Sequence, residues 1–342
     1  MSILERFSPW EEFQMGGMRV VRRGGVSRGI GRVFVGFWIV LGVSGLSGAG
    51  EKGAAPAENV EVGGNDRRVS DAGTDQDTNF GVDQVRGAYN TTNNEFLLVW
   101  RGEENIAPMV DGEFEIYGQR LHGDSGNELG ENDFRISDMG DEGESNASTR
   151  TRHSARDPRV AYNSVNNEYL VVWIGDDDID GDAEVYGQRL DGSTGAPLGD
   201  NDFAISDIGG SVTPYTQYLP QDVDVAYNPT ANEYLVVWAS GDVGTPLVQG
   251  EQEVFCQRLD GATGVEIGEN DFRISDLGDE AEDEAHIRRQ FDARSPAVVY
   301  NLAVDEYLVV WEGSDDATNE SSSSLVQGEV ETVLLLVQHK VK

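Results

Sequence analysis

The stretch Val160-Ala161-Tyr162-Asn163-Ser164-Val165-Asn166-Asn167-Glu168-Tyr169-Leu170-Val171-Val172-Trp173 decides the reading of this chain. From Tyr169 to Trp173 successive side chains of an extended strand point to opposite faces, and both sets are apolar, so the strand must be covered on both sides. Asn166-Asn167 supplies turn chemistry between the two apolar runs, and the whole predicts a β-hairpin.

The hairpin recurs. One copy runs from Ala88-Tyr89-Asn90 to Trp100, and later copies end at Trp238 and Trp311, with Trp spacings of 73, 65 and 73 residues. A third strand follows as Ile116-Tyr117-Gly118-Gln119-Arg120-Leu121, Val185-Tyr186-Gly187-Gln188-Arg189-Leu190 and Val254-Phe255-Cys256-Gln257-Arg258-Leu259. A fourth reads Phe134-Arg135-Ile136-Ser137-Asp138, Phe203-Ala204-Ile205-Ser206-Asp207 and Phe272-Arg273-Ile274-Ser275-Asp276. Repetition at a fixed period is the mark of a repeat architecture, and a sheet stacked between two neighbouring sheets covers both apolar faces.

These observations predict an all-β chain, a β-propeller of four four-stranded blades over residues 65–338. Asn65-Asp66-Arg67-Arg68-Val69-Ser70-Asp71 matches the fourth strand, while the last unit has only a degenerate third strand around Glu329 to Val337. The N-terminal strand is therefore expected to complete the last blade and close the ring, which removes an exposed sheet edge. A truncated array from a larger propeller and a β-solenoid or sandwich remain as alternatives, since Thr332 to Lys342 departs from the repeat.

The combination of Tyr-Asn, Glu-Tyr-Leu-Val-Val-Trp and Tyr-Gly-Gln-Arg-Leu-Asp over roughly residues 65–331 resembles a tandem repeat of secreted bacterial propeller proteins. That resemblance implies an extracellular or cell-surface propeller and carries over no catalytic residues. The aspartate box of sialidases is absent.

Residues 1–50 read as a signal peptide or an anchor: Arg19, Arg22, Arg23, Arg28 and Arg32 precede the apolar run Val33 to Val43. Residues 51–64 read as a linker and 339–342 as a tail. The chain is expected to be secreted or held at the cell surface, as a monomer. Its net charge is −37, and residues 1–49 hold six Arg and three Glu, which leaves 19 basic and 59 acidic residues beyond them. Such a surface repels nucleic acid and anionic membranes and favours divalent cations, so neither nucleic acid nor a membrane beyond the leading segment is an expected partner. The single cysteine, Cys256, excludes an intramolecular disulfide. It stands where the sister units have Gly118 and Gly187, which predicts a small core residue rather than a nucleophile.

A feature present in every unit serves the scaffold, whereas one confined to one or two units is a candidate for a site. The repeated Gln-Arg pairs are therefore expected to be structural, with Arg120, Arg189 and Arg258 paired to Asp138, Asp207 and Asp276. Asp176-Asp177-Asp178-Ile179-Asp180-Gly181-Asp182 occurs once. Its spacing places Asp176, Asp178, Asp180 and Asp182 as candidate Ca²⁺ ligands, although the twelfth position is Gly187 rather than the Glu of an EF-hand. A solvated acidic loop is the alternative.

The connections between units hold Arg152, His153 and Arg156, then Tyr215 and Tyr218, then His286, Arg288, Arg289 and Arg294. Arg and Tyr together suit carboxylated sugars or acidic peptides, through forked hydrogen bonds and stacking. Neutralisation of nearby carboxylates is the competing explanation. No zinc spacing, phosphate loop or Ser/His/Asp order is present. The sequence thus favours a non-catalytic module binding a protein or glycan, and leans against an enzyme. A glycoside-active propeller, with paired carboxylates beside aromatic residues at a central mouth, is the alternative, and a structural surface protein is a third.

Overall fold

The computed structural model describes residues 11–15, 18–22, 67–71, 81–103, 113–139, 154–176, 183–207, 219–241, 252–275, 293–313 and 331–338. The chain divides into two units, residues 1–59 and 60–342. The first holds an antiparallel hairpin of β1 (Glu11–Met15) and β2 (Met18–Arg22). The apolar run 33–43, expected to direct export, lies outside the described residues. Among the described residues no helix is long and apolar enough to cross a membrane.

The second unit is all-β, in successive antiparallel sheets. The first contains β3 (Val82–Asn90), β4 (Glu95–Glu103), β5 (Phe114–His122) and β6 (Glu128–Arg135). The second contains β7 (Arg156–Asn163), β8 (Glu168–Gly175), β9 (Glu184–Asp191) and β10 (Pro197–Ala204). The third contains β11 (Gln221–Asn228), β12 (Glu233–Ser240), β13 (Glu253–Asp260) and β14 (Glu266–Arg273). The fourth has three strands, β15 (Arg294–Asn301), β16 (Glu306–Gly313) and β17 (Glu331–Gln338). The first strands β3, β7, β11 and β15 pack side by side in that order, so the sheets fan out from a shared row.

Alternation along the repeated strand builds this stack. Tyr169, Val171 and Trp173 meet Leu97, Val99 and Ile116 of the first sheet, while Leu170, Val172 and Ile174 meet Val236 and Trp238 of the third. Leu235 and Val237 then meet Tyr307, Val309 and Trp311 of the fourth. The expectation that both faces of this strand are covered holds for the two middle sheets. At the ends Tyr89 and Phe96 of the first sheet and Val299 of the fourth stay 39–45% exposed.

Short-range chemistry fixes each unit. The side-chain oxygen of Asn163 accepts the N–H groups of Val165 and Asn166, and Asn167 takes φ 53°, a left-handed geometry that asparagine tolerates. Gly192 N–H then donates to the Asn167 carbonyl at 2.8 Å, and a Cβ on Gly192 would stand 2.4 Å from that oxygen, so only glycine fits. In the fourth strands Asp133, Asp202 and Asp271 adopt positive φ at a bulge, and each N–H donates to the side-chain oxygen of Gln119, Gln188 or Gln257. The repeated glutamine is thus a bulge pin, which bears out its scaffold assignment.

The expected partners of the repeated arginines are corrected. Arg120 forks onto Glu95 at 2.6 and 3.0 Å, Arg189 onto Glu168 at the same distances, and Arg258 pairs with Glu233. The glutamate on the second strand lies diagonally across the ladder, two places from the leucine that pairs with the arginine and so on the same face, whereas Asp138 accepts Arg135 at 3.1 Å, three residues away on its own segment.

The expected closing strand is also corrected. Residues 67–71 form no strand and are not in the fourth sheet. They lie along the first sheet instead: Asp71 N–H donates to Asp133 at 2.6 Å, and Arg67 to Asn127 at 2.9 Å. Asp138 N–H reaches Asp202, and Asp207 N–H reaches Asp271, in the same way. The aspartate at the end of each fourth-strand motif seeks the bulged carboxylate of the following unit, and residues 67–71 obey that rule with the first sheet. The third strand expected around Glu329 to Val337 is β17, the edge of the fourth sheet in the described residues.

Cys256 is fully buried, opposite Val237, and burial pushes its thiol well up. At the sister positions a Cβ on Gly118 or Gly187 would stand 2.8 Å from Ile136 or Ile205.

Candidate functional site

The strand ends divide into two edges. At one, turns such as 91–94 and 192–194 join the strands closely; the other holds strand ends such as the pairs Glu103 with Phe114 and Gly175 with Glu184. The starts of β3, β7, β11 and β15 lie at this second edge. Each carries a register shift and a residue with positive φ, namely Gln84, Asp157, Asp222 and Ser295. A bulge at the edge of a sheet re-aims its side chains, here toward the neighbouring first strand.

Gln84 and Asp157 exchange two hydrogen bonds of 2.8 Å, side chain to side chain and side chain to backbone. Asp222 accepts the Ser295 N–H at 3.2 Å and its hydroxyl at 3.4 Å. Two residues beyond each bulge stand Arg86, Arg159, Asp224 and Ala297. Arg159 approaches the Asp224 carboxyl to 3.8 Å, and the other oxygen of Asp224 accepts Val298 N–H at 2.9 Å. Both carboxyls of β11 therefore reach toward β15. Burial holds the Asp224 carboxyl above its ordinary value despite Arg159, and lowers the Arg159 and Arg156 guanidinium groups. Nearby, the Arg101 guanidinium lies 3.7 Å from the Phe114 ring centre and 3.4 Å from Asp83.

Only part of the expected loop-face set falls in described residues. Arg156 opens β7 and donates to the Pro220 carbonyl at 3.2 Å, and Arg294 opens β15 opposite Glu312. Arg152, His153, Tyr215, Tyr218, His286, Arg288 and Arg289 lie outside the described residues. Of the candidate calcium ligands, Asp176 is buried just past the end of β8, and Asp178, Asp180 and Asp182 lie outside. Among the described residues no group of three His, Cys, Asp or Glu side chains is placed to hold a metal ion.

Sequence reasoning missed Asp157, Asp222, Asp224, Arg86 and Arg159. Their signal was present: where Tyr-Asn recurs in every first strand, the column four residues before the tyrosine's asparagine changes from Arg to Arg to Asp to Ala. Two clefts of about 310 and 300 Å³ lie elsewhere, beside Phe134 and Thr194 and beside Phe203 and Thr263. They are repeat copies of one gap between fourth strands, and so belong to the scaffold.

No protein-family model and no curated protein sequence matches the chain. Solved structures do resemble its trace. An α-L-arabinanase from Penicillium chrysogenum is similar at 13% identity and a TM-score of 0.44, over 75% of this chain and 62% of that one. An exo-1,5-α-L-arabinanase from a bovine ruminal metagenomic library is similar at 10% identity and 0.39, over 73% and 76%. An endo-1,5-α-L-arabinanase from Thermotoga petrophila is similar at 12% identity and 0.41, over 75% and 56%. All three are glycan-cleaving enzymes by name, which runs against the expected non-catalytic module and the leaning against an enzyme. At these identities and TM-scores the likeness assigns neither a residue nor a substrate to this chain.

Proposed function

We propose that this protein cleaves glycosidic bonds, with the carboxyls of Asp222 and Asp224 on β11 as the reacting pair. The observation that carries the reading is that carboxyls and guanidinium groups gather at the edge of the first-strand row, where the Asp224 carboxyl is held largely buried beside Arg159. Glycoside hydrolysis needs one carboxyl held protonated to donate to the leaving oxygen and a second to act as base or nucleophile. Asp224, raised by burial, suits the donor. Asp222, two residues before it on the same strand, supplies the second. Closure of the four units into a ring belongs to the same proposal, supported by residues 67–71 sitting on the first sheet as the end of a preceding unit would.

The test is release of reducing ends from a panel of plant and microbial polysaccharides. Asp224→Asn and Asp222→Asn should each lower the rate by roughly 10²-fold or more with little change in Tm. Full activity in both variants defeats the assignment. The acidic segment 176–182 is further proposed to bind Ca²⁺, and export of the chain is proposed from its Arg-rich, apolar leader.

A further inference from the structure

Arg86 is anomalous in this chain. Acidic residues outnumber basic ones by 62 to 25, so a guanidinium group finds a carboxyl easily. Arg101, Arg120, Arg135, Arg156, Arg159, Arg189 and Arg258 all do so. Arg86 is exposed and donates to the carbonyl of Val85 at 2.9 Å, with no carboxyl partner among the described residues.

Its neighbour is a second arginine. The reciprocal 2.8 Å bonds between Gln84 and Asp157 lock β3 and β7 in register, so the residues two places further along, Arg86 and Arg159, stand side by side. The like charge of Arg86 helps to lower the Arg159 guanidinium, in keeping with that proximity. Asp224 makes its ion pair with Arg159 and accepts Val298 N–H, and Asp157 and Asp222 also act on Arg159, so these carboxyls are engaged at Arg159. Arg86 therefore keeps guanidinium N–H groups that no carboxyl of the described residues takes, at the edge of the first-strand row and beside Arg159.

We infer that Arg86 and Arg159 form a subsite for a sugar carboxylate, so that the glycan taken by this protein contains uronic acid. A planar guanidinium group matches a carboxylate through two parallel N–H···O bonds, which a neutral hydroxymethyl group cannot accept in the same fork. The chain's overall negative charge opposes any acidic polymer at long range. At about 0.15 M salt that repulsion is screened within ~8 Å, while a direct contact persists.

This inference rests on the glycan-cleaving reading, and calorimetric binding separates the two. Oligogalacturonate and its methyl ester are titrated into the full chain at about 0.15 M salt. The acid should bind at least ~10-fold more tightly than the ester. Arg86→Ala should erase that difference, and Arg86→Lys should keep part of it. Arg86 is exposed, and an unchanged Tm for the variant will confirm that the fold is intact. Equal binding of acid and ester, an unaltered preference in Arg86→Ala, or displacement of the oligomer by inorganic sulfate at matched concentration would each overturn the uronate assignment. Tight binding of the acid with no cleavage would uphold the subsite and sink the hydrolase reading instead.

Discussion

The side-chain amide of Asn163 donates to the Gly261 carbonyl at 2.8 Å, tying the first strand of the second sheet to a turn of the third. Asn90 makes the equivalent bond to Gly192 at 3.0 Å, and both asparagines are fully buried. Asn301 holds the same place in the fourth sheet and is exposed. Asn163→Ala should cost about 1–3 kcal/mol, because it leaves the buried Gly261 carbonyl unsatisfied, whereas Asn301→Ala should cost under about 1 kcal/mol. Urea denaturation measures both. Equal losses would mean that the first and fourth sheets meet in solution and that the ring is closed there.

Glu115 is fully buried, accepts Ser137 hydroxyl and takes Met139 N–H at 2.9 Å; burial pushes its carboxyl up from 4.5 to about 8. The folded state holds this proton more tightly than the unfolded chain. Its contribution to stability is thus complete below about pH 4.5 and is lost as pH rises through about 8. Tm followed between those limits should fall from this group, and Glu115→Gln should flatten that component. A variant with the wild-type pH slope would show that another group is responsible.

Trp173 is fully buried against the first sheet, and its ring N–H points at the Met139 sulfur at 3.2 Å. Trp173→Ala should destabilise by about 3–5 kcal/mol, read as a lower denaturation midpoint. A loss below about 1 kcal/mol would show that the two sheets are not packed there as described.

Calcium binding at residues 176–182 makes a separate claim. Millimolar Ca²⁺ should raise Tm, and Asp178→Asn with Asp180→Asn should abolish the rise. A melting curve indifferent to Ca²⁺ disposes of the site.

Arg120, Arg189 and Arg258 show how far the sequence could be read. Their recurrence marked them as scaffold, yet their partners were assigned to the wrong acid, because both Glu95 and Asp138 recur with them and linear spacing does not say which faces across the ladder. The β11 carboxyls were passed over for a related reason. Asp222 and Asp224 look like two more acids in a chain of 62, until bulges and strand packing set them beside Arg159 and Ser295.

The sequence by itself determined the strands, the recurrence of their hairpin and the two-sided burial of the Tyr-Leu-Val-Val-Trp segments of the two middle sheets, since these follow from side-chain alternation and turn chemistry within a few residues. The tertiary structure alone decided that residues 67–71 lie on the first sheet and that Arg86 makes no ion pair among the described residues while Arg159 meets Asp224. Those facts depend on the register between strands some 60 to 75 residues apart, such as the 73 separating Gln84 from Asp157, and no local pattern encodes it.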